Sequence, residues 1–322
     1  MFKQSDIEGK RVLLRADLDI PTKDGVVENT YRLECLLPTL HMCLKYAKKT
    51  CIVGHMGRPS SKTDKEFTLI PVLNELKRLI NGEIQFISSG FTPGDWWKGE
   101  SPLVLLDNLR FDNREEQQSS EFAAELASGA DVYVYEAFAT YRPCTSLSQI
   151  PKVLPTFTGF RFDKEVSILN SILKSPEHPT LLIGSGAKKD KLELLTKISP
   201  LFDSFFLGGV FAEPNHLTQD GLDLNDVGIK RVLSLIASAK TIVLNGPLGK
   251  YEDDEIHAKA TRAVFEALAD PQKHTILGGG DTIAAIPRLG FEYTQYGFVS
   301  TGGGALLEYL LTGTHPLLAI LN

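Results

Sequence analysis

The sequence predicts an α/β protein built from two doubly wound parallel-sheet domains, and three observations carry that prediction. Short β-rich runs alternate with helical periodicity from end to end, the pattern of parallel sheets wrapped by helices. The runs are nearly continuous apolar stretches, as expected when helices cover both faces of a sheet. The alternation breaks once, around Pro151, Pro155 and Gly159, and resumes with helical periodicity at Asp163–Leu173. A first domain over residues 1–158 follows, then a second domain entered through a connector helix at 159–174.

In the first half, strands are predicted at Arg11–Leu18, Lys49–Val53, Ile84–Ser88, Leu103–Asp107 and Asp131–Tyr135. Helices are predicted between them at Leu33–Ala47, Pro71–Ile80 and Ser120–Ala127. The second half repeats the scheme, with strands at Thr180–Ile183, Ser204–Leu207, Thr241–Leu244, Thr275–Leu277 and Phe298–Thr301. Its helices are expected at Lys191–Ile198, Lys230–Ala239, Ile256–Leu268 and Leu306–Leu311. In such folds ligands bind beyond the carboxyl ends of the strands, so that is where chemistry is to be sought.

Composition narrows the classes. Across 322 residues the hydrophobic share is 43%, the charged share 23% and the formal charge -6. An acidic balance argues against general binding to nucleic acid or an anionic membrane. No apolar run approaches a membrane span, and the N-terminus lacks a secretory apolar core. Cys35, Cys43, Cys51 and Cys144 have neither C-x-x-C spacing nor a nearby histidine pair, so idle thiols in a reducing cytoplasm are expected.

Charged residues gather where strands end. Asp17 and Asp19 follow the first strand, His55 and Arg58 the second, and Arg110 lies beyond Leu103–Asp107, with Arg142 just after Glu136. One arginine at the surface is ordinary, but His55, Arg58, Arg110 and Arg142 at one sheet edge make a basic bowl. The planar fork of arginine donates in pairs to carboxylate and phosphate. A small, strongly anionic substrate is implied.

The second half offers bare backbone instead. Two apolar runs enter glycine triplets, Gly278–Gly280 followed by Asp281-Thr282, and Gly302–Gly304. N–H groups at a loop-to-helix junction suit phosphate oxygens, and Asp281 with Thr282 suits phosphate-bound Mg²⁺. A tight turn with close helix–strand packing is the plain alternative. Gly184–Lys191 is a strand-end turn rich in lysine, and Asn245–Gly249 is another, with Glu252 beyond it. Neither is a G-x-x-x-x-G-K-[ST] loop.

Together these segments resemble the phosphoglycerate kinase family. The matching pieces are RADLDIP at Arg15–Pro21, GHMGRP at Gly54–Pro59, LLDNLRF at Leu105–Phe111, NGPLG at Asn245–Gly249, GGGDT at Gly278–Thr282 and STGGGA at Ser300–Ala305, in family order. The resemblance implies two Rossmann-like domains joined by a hinge helix. It also implies a second domain ending at 304 and a tail, 305–322, that returns to the first. It further implies reversible phosphoryl transfer between 1,3-bisphosphoglycerate and ADP, giving 3-phosphoglycerate and ATP, with Mg²⁺, in a cytoplasmic monomer. Asp17, Asp19, Arg32, His55, Arg58, Arg110 and Arg142 match substrate-side positions. Lys188, Lys191, Asn245, Glu252, Gly279, Gly280, Asp281 and Thr282 match nucleotide-side positions, Asp281 being the metal position. Arg32, Lys191, Gly302 and Gly303 would meet the phosphoryl in flight.

The chain also departs from the family pattern. Asp19 stands where the family has asparagine, and a second carboxylate there would repel an anion unless protonated or turned away. The stretch Ala139–Thr145 lacks the family's histidines and is one residue shorter, as is the loop holding Lys188 and Lys191. After Gly209 the family continues through helices and a strand that Ala212–Asn225 replaces here, so the C-terminal domain is trimmed. Two other readings follow: a catalytically silent relative binding a phosphorylated metabolite or a protein partner, and a kinase of another acyl phosphate.

Overall fold

The computed structural model describes residues 2–61, 64–252 and 256–321. Near-continuous apolar runs become the central strands of two parallel sheets. In the first, β1 (Arg11–Arg15), β4 (Lys49–Val53), β5 (Gln85–Ile87), β6 (Leu103–Leu106), β7 (Val132–Tyr135) and β8 (Thr156–Thr158) lie in the order β5-β6-β4-β1-β7-β8. A two-stranded hairpin, β2 (Thr22–Lys23) with β3 (Val26–Val27), stands apart and turns at Asp24-Gly25. The second sheet holds β9 (Thr180–Ser185), β10 (Ser204–Gly208), β11 (Thr241–Asn245), β12 (His274–Gly278) and β13 (Phe298–Ser300), in the order β10-β9-β11-β12-β13.

All five residues of β4 and all six of β9 are buried, which is why their sequences show no alternation. The helix Tyr31–Tyr46 turns Leu33, Leu36, Leu40 and Cys43 inward at helical spacing. They join Val12, Leu14, Ile52 and Val134 in the core of the first unit. The helix Ile70–Ile80 starts with Pro71 in its first turn and stops at Asn81 in the left-handed region.

The chain divides into two compact units. One runs to Val166 and includes the residues from His315 onward; the other is Ser167–Thr314. The connector helix, Phe160–Lys174, starts in the first unit and ends in the second. Within each unit the strand order reverses beside a central strand, β1 in the first and β9 in the second, and open sheets bind ligands at such points.

Short helices at Gln4–Ile7, Thr145–Ser148 and Pro316–Leu321 are unexpected, and two further elements differ from expectation. Thr156–Thr158, inside the stretch read as an interruption, is a sixth strand paired with β7. The helix Gly280–Arg288, opening directly from the first glycine triplet, carries too short an apolar repeat to stand out beside that triplet. Among the described residues no helix is long and apolar enough to cross a membrane. All four cysteines are free thiols.

Candidate active site

In the first unit, the candidate site is built around an arginine at the end of β1. Arg15 is wholly buried, its Nε donating to Ser146 Oγ at 3.0 Å and its Nη2 to His55 Nδ1 at 2.5 Å. With Nδ1 accepting, a neutral His55 keeps its proton on Nε2. Burial, followed by the charges of Arg15, Arg110 and Arg32, pushes the His55 pKa well below its usual value. His55 is therefore a neutral donor through Nε2, not a cation.

Asp17, 7% exposed, faces Arg32 with Nε to Oδ2 at 3.5 Å. Burial raises its carboxyl more than Arg32 lowers it. The Arg32 Nη1 group also donates to the Asp19 backbone carbonyl. Asp19 itself is turned toward the loop after β4: its Oδ1 accepts from Gly57 N at 2.8 Å, and its Oδ2 is 3.9 Å from His55 Nε2. Arg110 donates from Nη1 to Gly57 O at 2.7 Å and pairs with Glu116 at 3.4 Å. Arg58 and Arg142 are exposed, and the Arg142 guanidinium lies 6.0 Å from the Tyr141 ring centre. Asp17, Asp19, Arg32, His55 and Arg110 are thus linked, while Arg58 and Arg142 stand in solvent.

In the second unit, a separate candidate site forms where β9, β11, β12 and β13 end. Helices Lys189–Ile198, Gly280–Arg288 and Gly304–Thr312 follow β9, β12 and β13, so their N-termini open on one edge. Asn245 closes β11; its Nδ2 donates to Gly303 O at 3.1 Å, while its buried Oδ1 has no hydrogen-bond partner. The next amide, Gly246 N, donates to Thr282 Oγ1 at 2.9 Å. A Cβ on Gly303 would lie 3.1 Å from Gly279 Cα, so the two glycine runs meet backbone to backbone. Close backbone packing is therefore one reason for these glycines.

Lys191 points inward. A Cβ on Gly246 would be 3.1 Å from its Nζ and 2.5 Å from Ser185 O. Burial lowers the Lys191 pKa to about 8, opposed by Asp281. Lys188 and Lys189 point outward, Lys189 reaching Glu193 at 3.9 Å, so the inward ammonium is that of Lys191. Gly302 departs from expectation. Its N–H already donates to Ser300 Oγ at 3.1 Å, which leaves Gly303 and Gly304 as the amide donors at that helix start. Glu252 is exposed, its carbonyl accepting from Arg288 Nη2 at 2.6 Å.

Asp281 lies exposed in the first turn of its helix, and its carbonyl accepts from Tyr251 Oη at 3.1 Å. No cluster of three or more His, Cys, Asp or Glu able to hold a metal exists among the described residues. One carboxylate beside a phosphate cradle fits Mg²⁺, which binds mainly through phosphates and water, and does not fit a resident metal cage.

Sequence reasoning missed Arg15 and Asn108. Asn108 accepts Arg110 N at 3.0 Å and donates to Met56 O at 2.6 Å, tying the loops after β4 and β6 together. The signal for Arg15 was available, because a charge at the end of an otherwise buried strand must have partners.

An arginine cluster beyond one parallel sheet and a lysine beside bare glycine backbone beyond another are chemically suited to a phosphotransferase built of two units. The phosphoglycerate kinase family profile matches residues 2–219 and 212–313. Phosphoglycerate kinase of Bdellovibrio bacteriovorus is 30% identical over 385 residues, covering 98% of this chain and 96% of that one. That of Fervidobacterium nodosum is 30% identical over 382 residues, covering 96% and 94%. Among solved structures, phosphoglycerate kinase from Pyrococcus horikoshii OT3 superposes with a TM-score of 0.86 at 25% identity, covering 100% of this chain and 98% of that one. The Coxiella burnetii enzyme gives 0.78 at 27%, covering 98% and 96%. The chain belongs to the phosphoglycerate kinase family, and its activity is phosphoryl transfer. The silent-relative reading is not favoured. Alignments running to 385 residues against a chain of 322 mean that the relatives carry stretches absent here. The family match breaks and restarts at 212–219, within Ala212–Asn225.

Proposed function

We propose that this chain transfers a phosphoryl group reversibly between 1,3-bisphosphoglycerate and ADP, with phosphoglycerate on the first unit and the nucleotide on the second. The observation carrying this assignment is Lys191, a half-buried lysine whose ammonium lies against bare backbone where three helix N-termini open. Asp17, Arg32, His55, Arg58, Arg110 and Arg142 would hold phosphoglycerate. The carboxylate that accepts or releases the phosphoryl has no proton to lose, so the reaction needs no general base. A neutral His55, with Nδ1 held by Arg15 and only its Nε2 donor left for a ligand, suits that requirement.

Lys191, Arg32 and the Gly303 and Gly304 amides would meet the charge on the equatorial oxygens of the phosphoryl. Phosphoryl transfer depends on such positioning and neutralisation more than on covalent chemistry. Lys188, Asn245, Glu252 and Gly279–Thr282 would hold the nucleotide. Magnesium, held by Asp281 together with the phosphates, would neutralise charge on the phosphate oxygens. Closure of the site around both ligands would exclude water, which otherwise hydrolyses an acyl phosphate.

A coupled assay with 3-phosphoglycerate and MgATP, read as 1,3-bisphosphoglycerate formed, tests this assignment. Turnover is expected, with a loss on the order of a hundredfold or more in Lys191→Ala and in Arg32→Ala. Saturable phosphoglycerate binding with no turnover and no MgATP binding would refute it.

A further inference from the structure

The first turns of the connector helix carry an arginine that the proposed reaction does not use. Arg161 has 10% of its side chain exposed, and Glu165, one turn on, is wholly buried; Arg161 Nε donates to Glu165 Oε1 at 2.9 Å. The guanidinium also lies 5.6 Å from the centre of the Tyr31 ring, with Nη2 3.5 Å from the phenol oxygen. Tyr31 opens the helix Tyr31–Tyr46, immediately before Arg32.

The same two helices meet again further along. Thr39 Oγ1 donates to Glu136 and accepts from Phe160 N at 3.1 Å. Glu136 in turn accepts Arg161 N and Phe162 N, both at 3.0 Å, capping the start of the connector helix. Thr39 with Glu136 fixes the middle of the Arg32 helix against the connector. Arg161 with Tyr31 decides how its first turn is held.

We propose that Arg161 is a positioning residue for Arg32: by clamping Tyr31, it makes the first turn of the connector helix set the angle at which Arg32 is presented. The proposal rests on the role assigned to Arg32 above. The cluster is half-buried, and burial raises the Tyr31 phenol and pushes the Cys35 thiol beside it up to about 11. A cation over a desolvated ring is held more firmly than one in water. Only a planar guanidinium can bind a carboxylate along its edge and lie over a ring with its face. Arg32 is aimed by Asp17 Oδ2 at 3.5 Å and by the Asp19 carbonyl, so a small rotation of its turn moves it off target.

The test uses the full chain and a double-mutant cycle. Arg161→Met with Glu165→Met removes both charges, leaving no buried orphan. Tyr31→Leu removes the ring while keeping the ion pair, and carries the same cycle should the paired variant fail to fold. Each is expected to lower kcat roughly tenfold while changing KM for 3-phosphoglycerate less than about threefold. Tyr31→Phe, which keeps the ring, should retain nearly full kcat. In an Arg32→Ala background the tenfold loss should vanish, because there is no longer an Arg32 to position. The same factor in both backgrounds, or a fall in kcat that only tracks loss of folded protein, overturns the proposal while leaving the assignment of Arg32 intact. Full turnover in Arg32→Ala itself would overturn that assignment, and this proposal with it.

Discussion

Lys191 takes its chemistry from its neighbours. Its ammonium lies close to Gly246 and its stem against Gly186, and burial costs the charged form enough to bring the pKa to about 8. The ammonium is charged below that pH and neutralises as pH rises through it. If the charge grips phosphate, kcat/KM for MgATP should be flat near pH 7 and fall about tenfold per unit well above pH 8. Lys191→Arg should be slower but free of that alkaline limb. A wild-type limb found only near the ordinary lysine pKa would show that this side chain is solvated. Asp19 shows the same principle: as a sequence departure it threatens the anion, yet the Gly57 amide turns one of its oxygens to the loop.

Loops between a strand and a helix do most of the work at the level of elements. The turn after β11 must pass beneath Ser185 with Gly246 at φ 109, a conformation that side chains avoid. Gly246→Ala would force a Cβ to 2.5 Å from the Ser185 carbonyl and displace the amide from Thr282. A loss of stability of roughly 1–3 kcal/mol is expected, with kcat/KM for MgATP falling on the order of a hundredfold. Phosphoglycerate binding, measured by calorimetry, should hold. An unchanged MgATP constant would show that this turn is not part of the cradle.

For the molecule as a whole, the C-terminal segment closes the first unit. His315 is 1% exposed, with Nε2 donating to Phe138 O at 3.1 Å and Nδ1 accepting from Leu317 N at 3.2 Å. Phe162 meets its ring edge-on at 4.9 Å. Both nitrogens are committed to the neutral form, and burial lowers the pKa to about 4. Because the folded state binds the proton less readily than the unfolded one, this contribution is complete above about pH 6.5 and is lost as pH falls toward 4. The stability advantage of wild type over His315→Leu, from denaturant melts, should shrink by on the order of 2 kcal/mol between pH 7 and pH 5. An advantage independent of pH would mean that His315 titrates alike in the folded and unfolded chain.

The sequence by itself determined that there are two parallel sheets, because strands buried on both faces read as apolar runs without alternation, as Cys51–Val53 and Leu181–Ile183 do. Thr156–Thr158 escaped notice because three residues between prolines and a glycine carry too little pattern, and only pairing with β7 makes them a strand. Local motifs also named most of the candidate site, since glycine triplets and strand-end arginines are chemical signals in one dimension. Tertiary structure decided which of those groups face inward. Among three neighbouring lysines it chose Lys191, it bonded the Gly302 amide to Ser300, and it left Arg58 and Arg142 in solvent. It also decided protonation. Burial together with Arg15 makes His55 a neutral donor, and burial lowers the Lys191 pKa to about 8. Those outcomes depend on which groups share a dry volume, and sequence spacing does not encode that.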